Sequence, residues 1–339
     1  MNSRGWFLGL ALSLAAAGVQ ADKLVMKNGS VLIGTLVSAD ESKVVFNTPF
    51  AGDITVEQFN IKNIVTEGEV DLLLKDGSLY RGKQIVTEDD RLFVLQGEDK
   101  AVEFVVPDID MVNPEPWRIG DGYNWFGQFN FSMESERGNS DTDELDTDLE
   151  SIWRSMLDRY TVRGNWEVDE ANNERNKYSW MLHGKYDRFS GDDPDNYWGA
   201  QIRFDHDEFQ DLDLRTSFGP YVGREFIDRP RLRIHAEIGF AYVDEQFDVA
   251  EDNDYWGATW EARMLSEPFW GLEFYINQDG VVDVTDASQL IVNTTVGVHL
   301  PTVLGITTSA EAVYEYDGGA VEGVDDTDET YRFKVGYHW

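Results

Sequence analysis

Cysteine is absent from the 339 residues, which excludes a disulfide framework and a cysteine-linked lipid anchor. Basic residues are scarce, with 28 Lys and Arg against 64 Asp and Glu. Nucleic acid is thereby excluded as a partner class, because phosphate binding requires a basic footprint. Also missing after residue 21 is any apolar run of the ~20 residues that a membrane-spanning helix needs; charges interrupt every candidate. Disorder is excluded in turn by the 13% aromatic content, which a solvated acidic chain would not carry.

What is present begins with an export signal. Arg4 precedes a mostly apolar stretch from Trp6 to Val19, and Val19-Gln20-Ala21 places short residues at a cleavage site. Residues 1–21 are therefore expected to be removed. That takes away Arg4 and no acid, moving the formal net charge from −36 to −37.

Residues 22–116 carry an internal repeat with an offset of 48, dividing into 22–70 and 71–116. Lys27-Asn28-Gly29-Ser30 recurs as Lys75-Asp76-Gly77-Ser78, and Gly34 as Gly82. Val44-Val45-Phe46 recurs as Leu92-Phe93-Val94, and Ile61 and Ile64 as Ile109 and Val112. Asn-Gly and Asp-Gly between apolar strands predict type I′ hairpins. The pattern resembles Sm-like and SH3-like small β-barrels, which implies two such modules, with either a periplasmic protein or peptide as ligand or no ligand at all. Pro114-Glu115-Pro116 makes a stiff boundary.

From Trp125 the hydrophobic period becomes two. In the last segment Tyr331, Phe333, Val335, Tyr337 and Trp339 share one face, opposite Arg332, Lys334 and His338. Eleven earlier segments repeat the pattern, for example Tyr160-Val162-Trp166 and Ile238-Phe240-Tyr242. Twelve strands with apolar residues on one face and charges on the other predict an antiparallel transmembrane β-barrel over 117–339, lipid outside and water inside. The fold class expected is therefore all-β, with two small β-barrel repeats preceding the large barrel. Turns are expected at 155–158, 227–231, 266–269 and 300–303, with longer acidic loops at 168–176, 245–254 and 316–329 on the other side. The connection 187–196 breaks that rule.

Several motifs carry a family resemblance. They are Gly138-Asn139-Ser140-Asp141-Thr142, Asp187-Arg188-Phe189-Ser190-Gly191, Asp207 to Asp213 followed by Arg215-Thr216, Phe226-Ile227-Asp228-Arg229-Pro230 and the aromatic C-terminus. Together they resemble the salt-induced outer-membrane protein family, a domain of unknown function, over roughly Gly120 to Trp339. The resemblance implies a barrel in the cell outer membrane of a Gram-negative envelope, with the front module in the periplasm. It supplies no catalytic residues.

Alternation points Arg163, Arg203, Arg215, Arg233 and Arg263 into the lumen, with Glu144, Asp146 and Asp148 near the mouth. Two readings follow: a narrow charge-lined channel for small solutes or ions, or a structural barrel plugged by the same charges in pairs. A barrel hydrolase would need a serine–histidine arrangement. The chain has only five histidines and neither a Gly-x-Ser-x-Gly nor a His-Glu-x-x-His motif. No enzyme activity and no cofactor are expected. Acidic clusters at Asp141 to Asp148 and Asp325 to Glu329 match no EF-hand loop, which leaves metal binding open. Tyr331, Phe333, Tyr337 and Trp339 resemble the C-terminal signal read by the barrel assembly machinery. Outer-membrane lipid and lipopolysaccharide are the remaining partners expected.

Overall fold

The computed structural model describes residues 21–339 apart from 97–98, 137–141, 173, 192, 230, 270, 301–303 and 322–323. The export signal before Ala21, Gly138 to Asp141 and Pro230 lie outside the described residues. The chain divides into two compact units, one ending at Glu115 and the other running from Pro116 to Trp339.

The first unit holds eleven short strands: β1 (Asp22–Met26), β2 (Val31–Ala39), β3 (Lys43–Thr48), β4 (Gly52–Glu57), β5 (Ile61–Val65), β6 (Val70–Leu74), β7 (Leu79–Lys83), β8 (Ile85–Glu88), β9 (Arg91–Gln96), β10 (Asp99–Phe104) and β11 (Ile109–Val112). The two copies do not close separately. They interleave into an eight-stranded and a three-stranded sheet. β11 of the second copy pairs with β2 of the first, Val112 opposite Ala39. At the equivalent place in the other copy, Thr87 Oγ1 donates to the carbonyl of Ile64 at 2.9 Å. Each final strand thus leans on the other copy. One core results: Leu24 and Leu72, Phe46 and Val94, and Ile61 and Ile109 are equivalent pairs, each at most 2% exposed. Gln58 stands where the second copy has Val106, and its Nε2 donates to the carbonyls of Asp40 and Ile109, tying the copies together.

The repeated turns differ from the expected type I′, which needs two positive φ angles. Only Gly29 (φ +88°) and Gly77 (φ +84°) are left-handed. The Gly29 N–H donates to the Met26 carbonyl at 3.0 Å and the Met26 N–H to the Ser30 carbonyl at 2.8 Å. This is a three-residue loop, a type I turn closed by a left-handed glycine. Asn28 Oδ1 and Asp76 Oδ1 accept the backbone N–H of Ser30 and Ser78, each at 2.9 Å, so the polar residue before glycine stabilises the turn from its side chain.

The second unit is a closed antiparallel barrel of twelve strands. They are β12 (Asn124–Glu136), β13 (Thr142–Arg154), β14 (Asp158–Ala171), β15 (Glu174–Phe189), β16 (Asn196–Asp207), β17 (Leu212–Arg229), β18 (Leu232–Phe247), β19 (Asn253–Phe269), β20 (Leu272–Asp283), β21 (Leu290–Leu300), β22 (Ile306–Asp317) and β23 (Thr327–His338). The outward rows fall where alternation placed them. Met133, Trp198, Ile238, Phe240, Trp256, Tyr331 and Phe333 are all more than half exposed. Leu212 departs from its row: the pairing slips between Leu212 and Leu214, and Leu212 is buried.

The hairpins are longer than the sequence suggested. The connection expected at 187–196 shrinks to 190–195, and the acidic loops to 172–173, 248–252 and 318–326. Acidic residues in those stretches find partners that prolong the ladder. Glu245 and Asp317, for example, flank Arg215 at 2.6 and 2.7 Å.

Candidate functional site

The inward face of the barrel concentrates the site. Alternation sends every second side chain inward, and the long acidic and basic side chains of facing strands meet in three layers. Nearest the end that carries Trp339, Arg159 on β14 reaches Asp187 on β15 at 2.5 Å and Glu225 on β17 at 3.0 Å. Its guanidinium also lies 4.9 Å from the centre of the Tyr197 ring, and that of Arg154 lies 3.3 Å from the Phe189 ring.

The middle layer crosses the lumen. Glu150 on β13 accepts from Arg163 on β14 at 2.7 Å and from Arg263 on β19 at 2.8 Å. β13 and β19 are the second and eighth of twelve strands in ring order, so the Glu150–Arg263 pair spans opposite walls. Glu261 collects Arg163 at 3.1 Å, Arg263 at 2.9 Å and Lys185 at 2.7 Å. Lys185 also binds Glu237 at 2.5 Å, and the Tyr197 hydroxyl donates to Glu237 at 2.9 Å. Three cations and three carboxylates are thereby locked together, and Glu237, Glu261 and Lys185 are each at most 7% exposed.

Towards the opposite end, Arg203 pairs with Asp205 and with Asp279 on β20, both at 2.9 Å. Arg215 binds Glu245 and Asp317 as above. Lys334 on β23 is held by Asp146, Asp148 and Glu311 at 3.1, 2.7 and 2.7 Å. Arg332 is held by Asp146 and Glu167 at 2.9 and 2.8 Å.

Of the residues the sequence nominated, Arg163, Arg203, Arg215, Arg263, Asp146 and Asp148 all enter this lattice. Two do not sit with them. Arg233 is exposed, opposite Asp228 in register, and forms none of these pairs. Glu144 is exposed and borders a cavity of about 390 Å³ at the far end. The aromatic row of β23 faces outward, and Trp339 continues its ladder by exchanging backbone bonds with Gly127 at 3.1 and 3.2 Å. The Trp339 ring lies 5.6 Å from that of Trp125. A Cβ on Gly127 would come within 2.7 Å of the Trp339 ring, so the glycine provides its slot.

Inward tyrosines are the part that sequence reasoning missed. Tyr197 faces Gly223, Tyr221 faces Gly199 and Tyr275 faces Gly297 across neighbouring strands. A Cβ on any of these glycines would approach the opposing ring within 2.2–2.6 Å. The rings therefore lie flat along the wall and extend their hydroxyls to Glu237, Asp187 and Glu311 respectively. A tyrosine on one strand and a glycine on the next give no signal until the register pairs them.

The histidines fill structural places. His183 Nε2 lies 3.0 Å from Gln201 Oε1, and His206 packs against Trp180 and Tyr178 on the outer face. His235, Glu237 and Glu261 bring ligand-type atoms within 4.8 Å. Lys185, Arg163 and Arg263 already surround those carboxylates, and their charge opposes a cation there.

No curated protein matches the chain. Among solved structures the chain is similar to the NanC porin at 10% identity, with 63% of this chain and 99% of that one covered and a TM-score of 0.41. It is similar to the CymD monoaromatic hydrocarbon channel at 10% identity, covering 64% and 88% with a TM-score of 0.31. It is similar to the outer-membrane channel DcaP of Acinetobacter baumannii at 11% identity, covering 94% of each chain with a TM-score of 0.32. Residues 129–339 match the family described as a protein of unknown function, DUF481, and the chain belongs to that family.

Proposed function

We propose that this protein is an outer-membrane β-barrel closed at rest by its own side chains. It anchors the duplicated module, residues 22–116, on the periplasmic side. The membrane placement is supported by an outward face of aromatic and aliphatic side chains on a closed ring of strands, an arrangement stable only where lipid replaces water. The plug is supported above all by the Glu150–Arg263 pair, which joins opposite walls through the middle of the lumen. Short turns then lie on the periplasmic side, with both strand ends that begin and finish the barrel.

The narrow-channel reading has one observation in its favour. The lattice is charged throughout, so its members can be resolvated and separated by an applied field in a way that an apolar plug cannot. Planar-bilayer recording distinguishes the two. The resting barrel is expected to be silent, while Glu150→Ala combined with Arg263→Ala opens ion-conducting steps. Steady conductance from the unaltered protein would overturn the plug and establish the channel.

A further inference from the structure

Two histidines stand outside the lattice of ion pairs. His299 is the last residue but one of β21 and His338 the last of β23, which sets both at the end of the barrel that carries Trp339. Their rings meet there, with centres 5.5 Å apart and planes at 77°. Tyr275 stacks on His299 at 4.5 Å, and its hydroxyl is committed to Glu311.

Neither imidazole is satisfied. Among the described residues, His299 Nδ1, His338 Nε2 and the hydroxyl oxygen of Thr307 on β22 are buried atoms with no hydrogen-bond partner, and His299 as a whole is 9% exposed. Each such atom costs about 1–3 kcal/mol, and three of them on consecutive strands are not accounted for by packing. Glu273 on β20 stands opposite His299 in register and forms no ion pair among the described residues. The charges that act on His338 are the carboxylates of Glu273, Asp148 and Glu150.

A metal ion fits this arrangement. An imidazole nitrogen binds Zn²⁺ at about 2.0–2.1 Å, which sets two rings on one tetrahedral ion roughly 5 Å apart, centre to centre. Imidazole suits Zn, Cu and Ni, whereas Mg and Ca prefer sites built of oxygen. The surroundings differ from those of His235, where Arg163, Lys185 and Arg263 already take the Glu261 carboxylate. Here the cation that acts on His299 is Lys334, and Asp146, Asp148 and Glu311 hold its charge.

We propose that His299 and His338 are the protein ligands of a divalent transition-metal site, for an ion of the Zn²⁺, Cu²⁺ or Ni²⁺ class, with Glu273 as its counter-charge. Bound metal ties β21 to β23, the strand that pairs with β12 to close the ring. The site needs the inward face of these strands, not the plug or the membrane placement, so it stands or falls apart from the function proposed above.

The test uses the full-length protein in detergent micelles, made without a histidine tag and kept in excess Mg²⁺ to occupy surface carboxylates. Zn²⁺ titrated against a chromogenic chelator should bind at one equivalent. His299→Gln and His338→Gln should each weaken that binding at least about tenfold, since loss of even an outer-sphere partner costs that much. Glu273→Gln should weaken it several-fold, and His206→Gln, on the outer face, not at all. Cu²⁺ in the same site should show electron-paramagnetic coupling to two imidazole nitrogens in the unaltered protein and to one in either histidine variant. Heat-modifiable migration tells a misfolded variant from one that has lost the site, and the two-nitrogen signal needs no variant. Absence of that signal, or tight Zn²⁺ binding that survives both histidine substitutions together, would overturn the proposal.

Discussion

The two units solve opposite packing problems with the same strand geometry. In the first, alternate side chains meet in a dry core, and the largest of them, Phe46, is fully buried. In the barrel the order is inverted: Phe240 and Phe333 face outward at 58% and 80% exposure, while Glu261 and Lys185 are buried. A small β-sheet module lowers its free energy by removing apolar surface from water. A lipid-embedded barrel has no water outside to escape from, so its apolar side chains need no partners. Its specificity must then come from the lumen, where charges find fixed counterparts. The first unit is held by apolar burial, and the barrel's lumen by ion pairs.

That comparison is broken most forcefully at Glu261. Its removal by Glu261→Ala leaves Arg163, Lys185 and Arg263 short of a counter-charge inside the lumen, a loss of about 3–5 kcal/mol for a buried pair. The heat-modification midpoint of the barrel should fall sharply, while Phe240→Ala on the lipid face leaves it almost unmoved. A similar midpoint for both variants would show that the lattice does not hold the barrel.

The reciprocal test is Phe46→Ala, expected to cost the first unit about 3–5 kcal/mol through lost burial and a residual cavity. Urea unfolding followed by near-ultraviolet dichroism should show the first unit melting early, with heat-modifiable migration of the barrel retained. Loss of both together would mean that the units do not fold independently.

A smaller effect is expected from Gly223→Val, which drives a side chain into the Tyr197 ring. Overpacking of this kind costs about 1–3 kcal/mol, and the same change with Tyr197→Ala should recover part of it. Additive losses in the double variant would remove the tyrosine–glycine fit as an element of the lumen.

The mildest test is pH. Burial opposes ionisation of Asp40, but the backbone N–H groups of Ser42 and Lys43 outweigh it and hold the carboxyl below its ordinary value. Hydrogen bonds from Lys62 and Asn63 do the same for Asp90. A depressed folded-state pKa contributes stability that is present above the unfolded value, near 3.8, and is lost as pH falls through the folded one. The urea midpoint of the first unit should therefore not change through these two groups between pH 7 and about 5, and should drop only below about 4. Asp40→Asn with Asp90→Asn should flatten that drop; an unchanged profile would assign the acid sensitivity elsewhere.

The sequence by itself determined a good deal. Period-two alternation set which face of each barrel strand is apolar, because a β-strand has no other choice, and it placed Trp256, Ile238 and Phe333 outside. The 48-residue offset established that Leu24 and Leu72 are equivalent. Strand ends were less legible, since acidic residues read as loop until partners such as Arg215 for Glu245 and Asp317 are in reach. Arg203 shows the limit most clearly. From sequence it is one inward cation among several; in the fold it sits between Asp205 and Asp279, so Arg203→Glu would set three carboxylates together rather than simply retune a pore. Which charge meets which across the lumen, which glycine receives which tyrosine, how the two repeats share one core, and where the ring of strands closes were all decided by register and ring closure. Those depend on residues far apart in the chain, Glu150 and Arg263 or Phe131 and Val335, whose proximity no local pattern encodes.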